Sequence, residues 1–391
     1  MASIDKTRNG HWRARYRDPD GRSRSRTFPT KGEANRFLQV SGADMQRGTW
    51  VDPIRQRALF DDWAQEWWDT TVHLRPTTRH GYRSALSARV LPTFSGRSIG
   101  SIERVDVRKW ISGMVAAGYA PKSIRQAVSV LRLILELAVE SRALTSNPAS
   151  RHKLPRALAS EPIFLTAEQV NALAASVREP YGFLITFAAY TGLRPSELCG
   201  LRVRRLDLLR GTVEVAETLI PMNGKLLVGP TKNFAKRSVP LPPFLREQAG
   251  GYFAALDRTL APDDYVFPGL RGGPLNRDSL HKWLLQPAVR AAGLPPRMRT
   301  HDLRHTCASL LIALGAHPKA IQDRLGHSDI RVTLNTYGHL FPSLEESLTD
   351  RLDALYRSAE GNRWAPARSS RAHLERPVVS DFISGCVTCP S

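Results

Sequence analysis

The stretch from Arg299 to Leu340 constrains the fold more than any other. It sets His301, Arg304, His305, His327, Tyr337 and His339 among apolar residues at helical spacing. His301 and Arg304 are three apart, so on a helix they share one face and point at one object. An imidazole and a guanidinium that converge suit a phosphate, because the guanidinium forks two oxygens and the imidazole moves a proton. Gly315 and Pro318 break the helix, LGHS follows at Leu325 to Ser328, and Tyr337 comes ten residues after His327.

A second cationic position lies upstream. Arg194 precedes Pro195, which disfavours helix at 194 and suits the first position of the next helix. That sets Arg194 at a helix amino terminus, where backbone N–H groups also favour an anion. The plainer role is a salt bridge to Glu197. A third basic cluster, Thr231-Lys232-Asn233 and Lys236-Arg237, follows alternating apolar residues at Thr212 to Val215 and Leu226 to Val228, which reads as strands joined by a basic turn. No acidic pair, HExxH or paired CxxC accompanies these residues, and no GxxxxGK[ST] loop is present. Metal-dependent and nucleotide-hydrolysing chemistry are therefore not expected, and no cofactor is.

The charge balance points to the partner. Fifty-six Lys+Arg against 36 Asp+Glu give +20, an excess that predicts a polyanion, nucleic acid before an acidic membrane surface. No apolar run approaches the roughly 20 residues that span a bilayer, and MASIDKTRNGHW lacks the apolar core of a signal peptide. Cys199 and Cys307 read as buried thiols, and Cys386 and Cys389 as a lone CxxC in a tail. A cytosolic, reduced protein is the plain reading.

Taken in order, residues 1–54 read as a small basic domain. Trp12, Ala14 and Tyr16 alternate with Arg13, Arg15 and Arg17, a strand with one apolar and one cationic face. Asp18-Pro19-Asp20-Gly21 turns the chain, and Arg22, Arg24 and Arg26 alternate again, so a hairpin with an arginine face is expected. Thr30 to Glu33 has the form of a capping box, starting a helix that packs Phe37, Leu38 and Met45 on the sheet. The bland reading is a solvated charged face; the functional one is a sheet laid on DNA.

Residues 55–147 read as all helix: Phe60, Trp63, Ala64 and Trp67 on one face, a second helix from Pro76, a third from Val105 to Val115, and a long one from Lys122 to Leu144. Its stripe is Ile124, Val128, Leu131, Leu135 and Ala138. The tryptophans read as core. Arg79, Arg83, Lys122 and Arg125 lie between the stripes, either as a scattered surface or as contacts to a duplex backbone. Residues 148–161 read as a basic, proline-bearing linker, 162–360 as a mixed, mostly helical domain with a small antiparallel sheet, and 361–391 as a disordered tail. Leu344, Leu348, Leu352 and Leu355 form a late stripe that must bury against something.

Together TGLRPSEL (191–198), the basic hairpin with Thr231-Lys232, HDLRH (301–305), LGHS (325–328) and Tyr337 resemble the tyrosine recombinase family, most closely its phage and mobile-element integrases. The likeness covers most of the chain. It implies a three-domain enzyme: an arm-type DNA-binding domain, a helical core-binding domain that clamps the duplex, and a catalytic domain. It implies that Arg194 and Arg304 clamp the phosphate, that Lys232 is general acid for the 5′ oxygen (Lys236 and Arg237 being the rivals), and that His301 shuttles a proton. By the same likeness His327 donates to a phosphate oxygen and Tyr337 attacks, leaving a 3′-phosphotyrosyl link. The expected partners are double-stranded attachment sites, a homotetramer on DNA that docks the last helix between protomers, and accessory bending or directionality factors, within a bacterial host. A resolvase or chromosome-dimer recombinase, a relaxing topoisomerase and a non-cutting DNA-binding regulator are the alternatives.

Overall fold

The computed structural model describes residues 2–156, 161–222, 224–230, 236–256, 258–269, 272–341 and 345–360. Lys232, part of the expected linker, the residues after 360 with Cys386 and Cys389, and Leu344 of the late apolar stripe lie outside them. The chain divides into two compact units, residues 1–307 and the residues from Ala308 onward.

The first unit begins with an antiparallel sheet of β1 (Ser3–Lys6), β2 (Trp12–Arg17) and β3 (Ser23–Phe28). Helix α1 (Lys31–Arg47) starts on a complete capping box, with Thr30 Oγ1 accepting from Glu33 N and the Glu33 carboxylate accepting from Thr30 N. Phe37 of α1 packs on Tyr16 and Phe28, with ring centroids at 5.6 and 5.1 Å. The sheet register corrects one expectation. Ala14 faces Arg26 and Tyr16 faces Arg24, so these share the face that α1 covers, while Arg13, Arg15 and Arg17 share the other with Thr27, Ser25 and Ser23. The arginines of the two strands therefore do not form one face. The five residues of turn between the strands fix that parity.

Helix α2 (Pro53–Arg57), capped by Asp52, leads into a helical bundle of α3 (Phe60–Thr70), α4 (Pro76–Ala85), α5 (Leu91–Phe94), α6 (Arg104–Ala116) and α7 (Pro121–Glu140). Proline opens both α4 and α7 at the position where a missing N–H costs nothing. All five residues of the expected α7 stripe are buried, as are Phe60, Trp63, Ala64 and Trp67 on α3. Burying each large apolar chain stabilises the bundle by about 1.5–3 kcal/mol. The last helix ends at Glu140 rather than Leu144, because Arg142 adopts φ 57° and Ala143 N returns to Ala138 O.

A second core runs from Ile163 to Leu303. Helix α8 (Ala167–Ala175) starts on another capping box, Thr166 with Gln169, and packs on α9 (Gly182–Thr191), whose sequence is apolar all round and which is buried accordingly. Short α10 (Pro195–Cys199) follows. Strands β4 (Leu206–Asp207), β5 (Thr212–Val215) and β8 (Arg237–Pro240) form one antiparallel sheet, and β6 (Glu217–Met222) pairs β7 (Lys225–Pro230) as a hairpin. Helices α11 (Pro243–Ala254), α12 (Arg277–Ser279), a wide turn at Leu280–Leu285 and α13 (Gln286–Ala291) lead to α14 (Asp302–Ala313), in which the division between units falls. The second unit holds α15 (Pro318–Leu325), α16 (Ile330–Tyr337) and α17 (Glu345–Glu360). No described helix is long and apolar enough to cross a membrane, and no described group of His, Cys, Asp and Glu could hold a metal ion.

Candidate active site

Arg304 is fully buried, at 1% exposure, a position an arginine occupies only when its donors are satisfied. Its Nη1 donates to Gly192 O at 2.7 Å. Gly192 caps α9 with φ 69°, a conformation that favours glycine, and it turns the chain into Leu193 and Arg194. One hydrogen bond thus ties α14 to the turn that presents Arg194. The HxxR spacing and the TGLR turn, 110 residues apart in sequence, are held together in one unit.

Arg194 caps α10, as the proline predicts, and it also makes the plainer contact. Its Nη1 lies 2.8 Å from Glu197 Oε1, and its backbone N donates to Glu197 Oε2 at 2.9 Å. Helix α10 has only five residues, so a helix dipole adds little to the Arg194 cation at this terminus. Glu197 is almost wholly buried and also takes both terminal nitrogens of Arg237. Burial alone would raise its carboxyl, but the Arg237 hydrogen bonds and the charges of Arg237 and Arg194 outweigh that and hold it down at about 2. It is therefore ionised throughout neutral pH and serves to fix Arg194. Arg237, weighed in the sequence as a rival proton donor, is committed to this buried pair. Lys236, the other rival, is exposed and lies 4.0 Å from Glu214.

His301 opens to solvent at the start of α14. Its ring meets His305 edge-on, centroids 4.9 Å apart. The protein packed around it, with His305, Arg304 and Arg194 adding positive charge, lowers its pKa from the ordinary 6.5 to about 4. The imidazole is neutral at pH 7 and able to accept a proton. Asp302 braces the turn before it, accepting from Arg299 N at 2.7 Å and pairing the Arg299 guanidinium at 3.0 Å.

In the second unit Gly326 ends α15 in the left-handed conformation and starts the LGHS turn. His327 Nδ1 lies 2.9 Å from the Thr333 hydroxyl, which fixes the ring. Tyr337 is the last residue of α16 and is 1% exposed. The Thr333 contact to His327 is invisible in sequence and is found through structure alone.

Among the basic residues, Arg13 and Arg15 both reach Asp5 of β1, at 2.6 and 3.0 Å, and Arg17 extends the same exposed face. Arg22 lies in the turn. Arg24 is turned inward, bridging Asp18 at 2.9 Å and Asp52 at 2.6 Å, and Arg26 stacks over Phe28 and Phe37. Lys122 and Arg125 are exposed at the start of α7. Arg79 and Arg83 stack on Trp68, a partly buried ring beside the fully buried tryptophans of α3.

Three family profiles match the chain: the phage integrase N-terminal domain over residues 2–47, the phage integrase N-terminal SAM-like domain over 59–115, and the phage integrase family over 163–343. The chain is 25% identical to the integrase of Mycobacterium phage L5 over 374 residues, covering 91% of this chain and 98% of that one. It is 28% identical to the tyrosine recombinase XerC of Xanthomonas campestris over 270 residues, covering 67% and 78% respectively. In fold it resembles the Tn1549 transposon integrase in complex with circular intermediate DNA, with TM-score 0.66, 20% identity, and 75% of this chain and 100% of that one covered. It also resembles a lambda integrase tetramer bound to a Holliday junction, with TM-score 0.58, 17% identity, and 87% and 94% covered.

Proposed function

We propose that this chain, a site-specific tyrosine recombinase of the phage integrase family, cleaves attachment-site DNA with Tyr337 after Arg194 and Arg304 have bound the scissile phosphate. The phenol oxygen of Tyr337 attacks phosphorus while its proton passes to neutral His301. Two guanidiniums and His327 Nε2 neutralise the non-bridging oxygens. The 5′ oxygen leaves with a proton from Lys232, giving a 3′-phosphotyrosyl link and a free 5′ hydroxyl. A 5′ hydroxyl from the partner duplex then attacks the link and releases Tyr337. The bond energy is kept in the phosphotyrosyl link, so resealing needs no ATP.

The hydrogen bond from Arg304 to Gly192 O carries this reading, because it brings the two arginines of separate motifs to one turn. Residues 1–54 act as the arm-binding domain through the Arg13, Arg15 and Arg17 face, and 55–147 as the core-binding domain through Arg79, Arg83, Lys122 and Arg125. The profile match over residues 2–47 favours an integrase over a chromosome-dimer recombinase. Four protomers assemble on DNA, as the lambda integrase neighbour does, with bending or directionality factors choosing between joining and excision.

The test is strand exchange between two labelled attachment duplexes in EDTA without nucleotide. Arg304→Lys keeps the charge but loses the fork, and an exchange rate lowered by about 100-fold is expected. Exchange at the wild-type rate would remove Arg304 from the phosphate site.

A further inference from the structure

Arg79 and Arg83 sit four apart on α4, so they are neighbours on one helix surface. Both guanidiniums lie over the Trp68 ring, at 4.5 and 5.0 Å from its centroid. Arg79 Nε also donates to the Thr71 hydroxyl at 3.3 Å, and that hydroxyl in turn donates to Trp68 O at 2.6 Å. The ring itself rests beside Trp67, which is buried and meets Tyr82 of α4. The stack is thus rooted in the bundle core rather than floating on the surface.

No carboxylate forms an ion pair with Arg79 or Arg83 among the described residues. Elsewhere in the chain arginines meet acids: Arg13 with Asp5, Arg97 with Asp106, Arg142 with Asp20. Like charges at this spacing repel. Attraction to the ring face offsets that and restricts both side chains. What results is a paired, uncompensated cation held still, which an anion bridging the two would relieve.

We propose that Trp68 is a positioning residue that aligns Arg79 and Arg83 as one fork for a backbone phosphate of the duplex. The inference deepens the reading that α4 faces DNA and rests on it. Trp68 need not touch the nucleic acid. It removes the rotamer freedom that each arginine would otherwise lose on binding.

Duplex affinity of the full chain, measured across a salt series, separates the two ideas. Arg79→Gln and Arg83→Gln each remove a phosphate contact, so affinity falls and the slope of log K against log salt shrinks by about 1. If neither substitution moves affinity or slope, α4 does not face DNA and that reading fails, whatever Trp68 does. With those effects in hand, Trp68→Leu keeps every charge yet should weaken binding several-fold, while Trp68→Phe, which retains an aromatic face, recovers most of the loss. In the Arg79→Gln/Arg83→Gln background Trp68→Leu should have no further effect. Wild-type binding by Trp68→Leu would overturn the proposal. So would an equal loss in the double-glutamine background, which would mark a general packing defect. Should Trp68→Leu fail to fold, Trp68→Phe in both backgrounds reads the same coupling at smaller amplitude, and a loss that persists in the glutamine background again overturns it.

Discussion

Arg237 sets Nη1 3.0 Å from Oε1 and Nη2 2.7 Å from Oε2 of Glu197, a two-point salt bridge between β8 and α10. The same carboxylate holds Arg194, so a strand of the sheet sets the position of a proposed phosphate ligand. Glu197→Gln should lower stability by about 3 kcal/mol, since it leaves two cations facing a neutral group. It should also slow DNA cleavage by about 10–100-fold through a displaced Arg194. Urea titration and single-turnover cleavage check the two effects.

Acid stability follows from the same carboxyl. Its folded pKa, about 2, lies below the ordinary 4.5. The unfolded chain therefore binds the proton first, and the Glu197 contribution, present above pH 4.5, is lost as pH falls through about 2. The wild type should show this acid-linked loss, and Glu197→Gln should lack it in a comparison of urea midpoints between pH 5 and 3.

His301 should titrate near 4 in the free protein, well below the ordinary 6.5. Its neutral form is favoured by the fold, so between those values the unfolded chain takes up a proton that the folded chain refuses, and stability falls as pH drops through that window. The imidazole resonances, assigned by comparison with His301→Gln, give the midpoint by NMR. An ordinary midpoint near 6.5 would remove the neutral base from the free enzyme.

The N-terminal sheet separates two kinds of arginine. Arg24, between Asp18 and Asp52, is structural, and Arg24→Gln should cost about 2–3 kcal/mol. Arg15→Gln lies on the open face and should change stability by no more than about 0.5 kcal/mol. It should instead reduce arm-site affinity and its salt slope. Matched urea and DNA titrations of the two variants distinguish the faces.

This contrast also marks where the sequence stopped being legible. Period-two alternation revealed both hairpin strands, and the boxes at Thr30 and Thr166 revealed helix starts, because those signals are local. Which face each arginine takes depends on the parity of a turn, and β1, a polar four-residue strand, carries no alternation to read. At the site, HxxR and TGLRP were visible as spacings. The Arg237 clamp on Glu197 and the Thr333 contact to His327 were not, since each joins residues through tertiary packing that no short pattern encodes. Trp68 packs against the core with Trp63 and Trp67, as read, but the two cations over its ring were not legible in sequence.

Leu352 and Leu355 are more than 60% exposed on α17, so the late apolar stripe is unburied at these two positions. Aspartate at both should leave the unfolding free energy within about 0.5 kcal/mol of wild type while abolishing cooperative assembly on paired sites. Gel-shift titration on one- and two-site duplexes reads the difference, and unchanged cooperativity would exclude this helix from the protomer contact.

Tyr337 is tested most directly by trapping its bond to DNA. A nicked suicide duplex carrying the element's attachment core, or supercoiled plasmid where that core is unidentified, is incubated in EDTA without nucleotide. The wild type should form a denaturation-resistant adduct at a DNA 3′ end, or relax the plasmid, and Tyr337→Phe should do neither while binding the duplex as tightly. An adduct formed equally by the phenylalanine variant would contradict the assignment of the nucleophile. DNA binding by both proteins with no adduct from either would contradict strand cleavage itself.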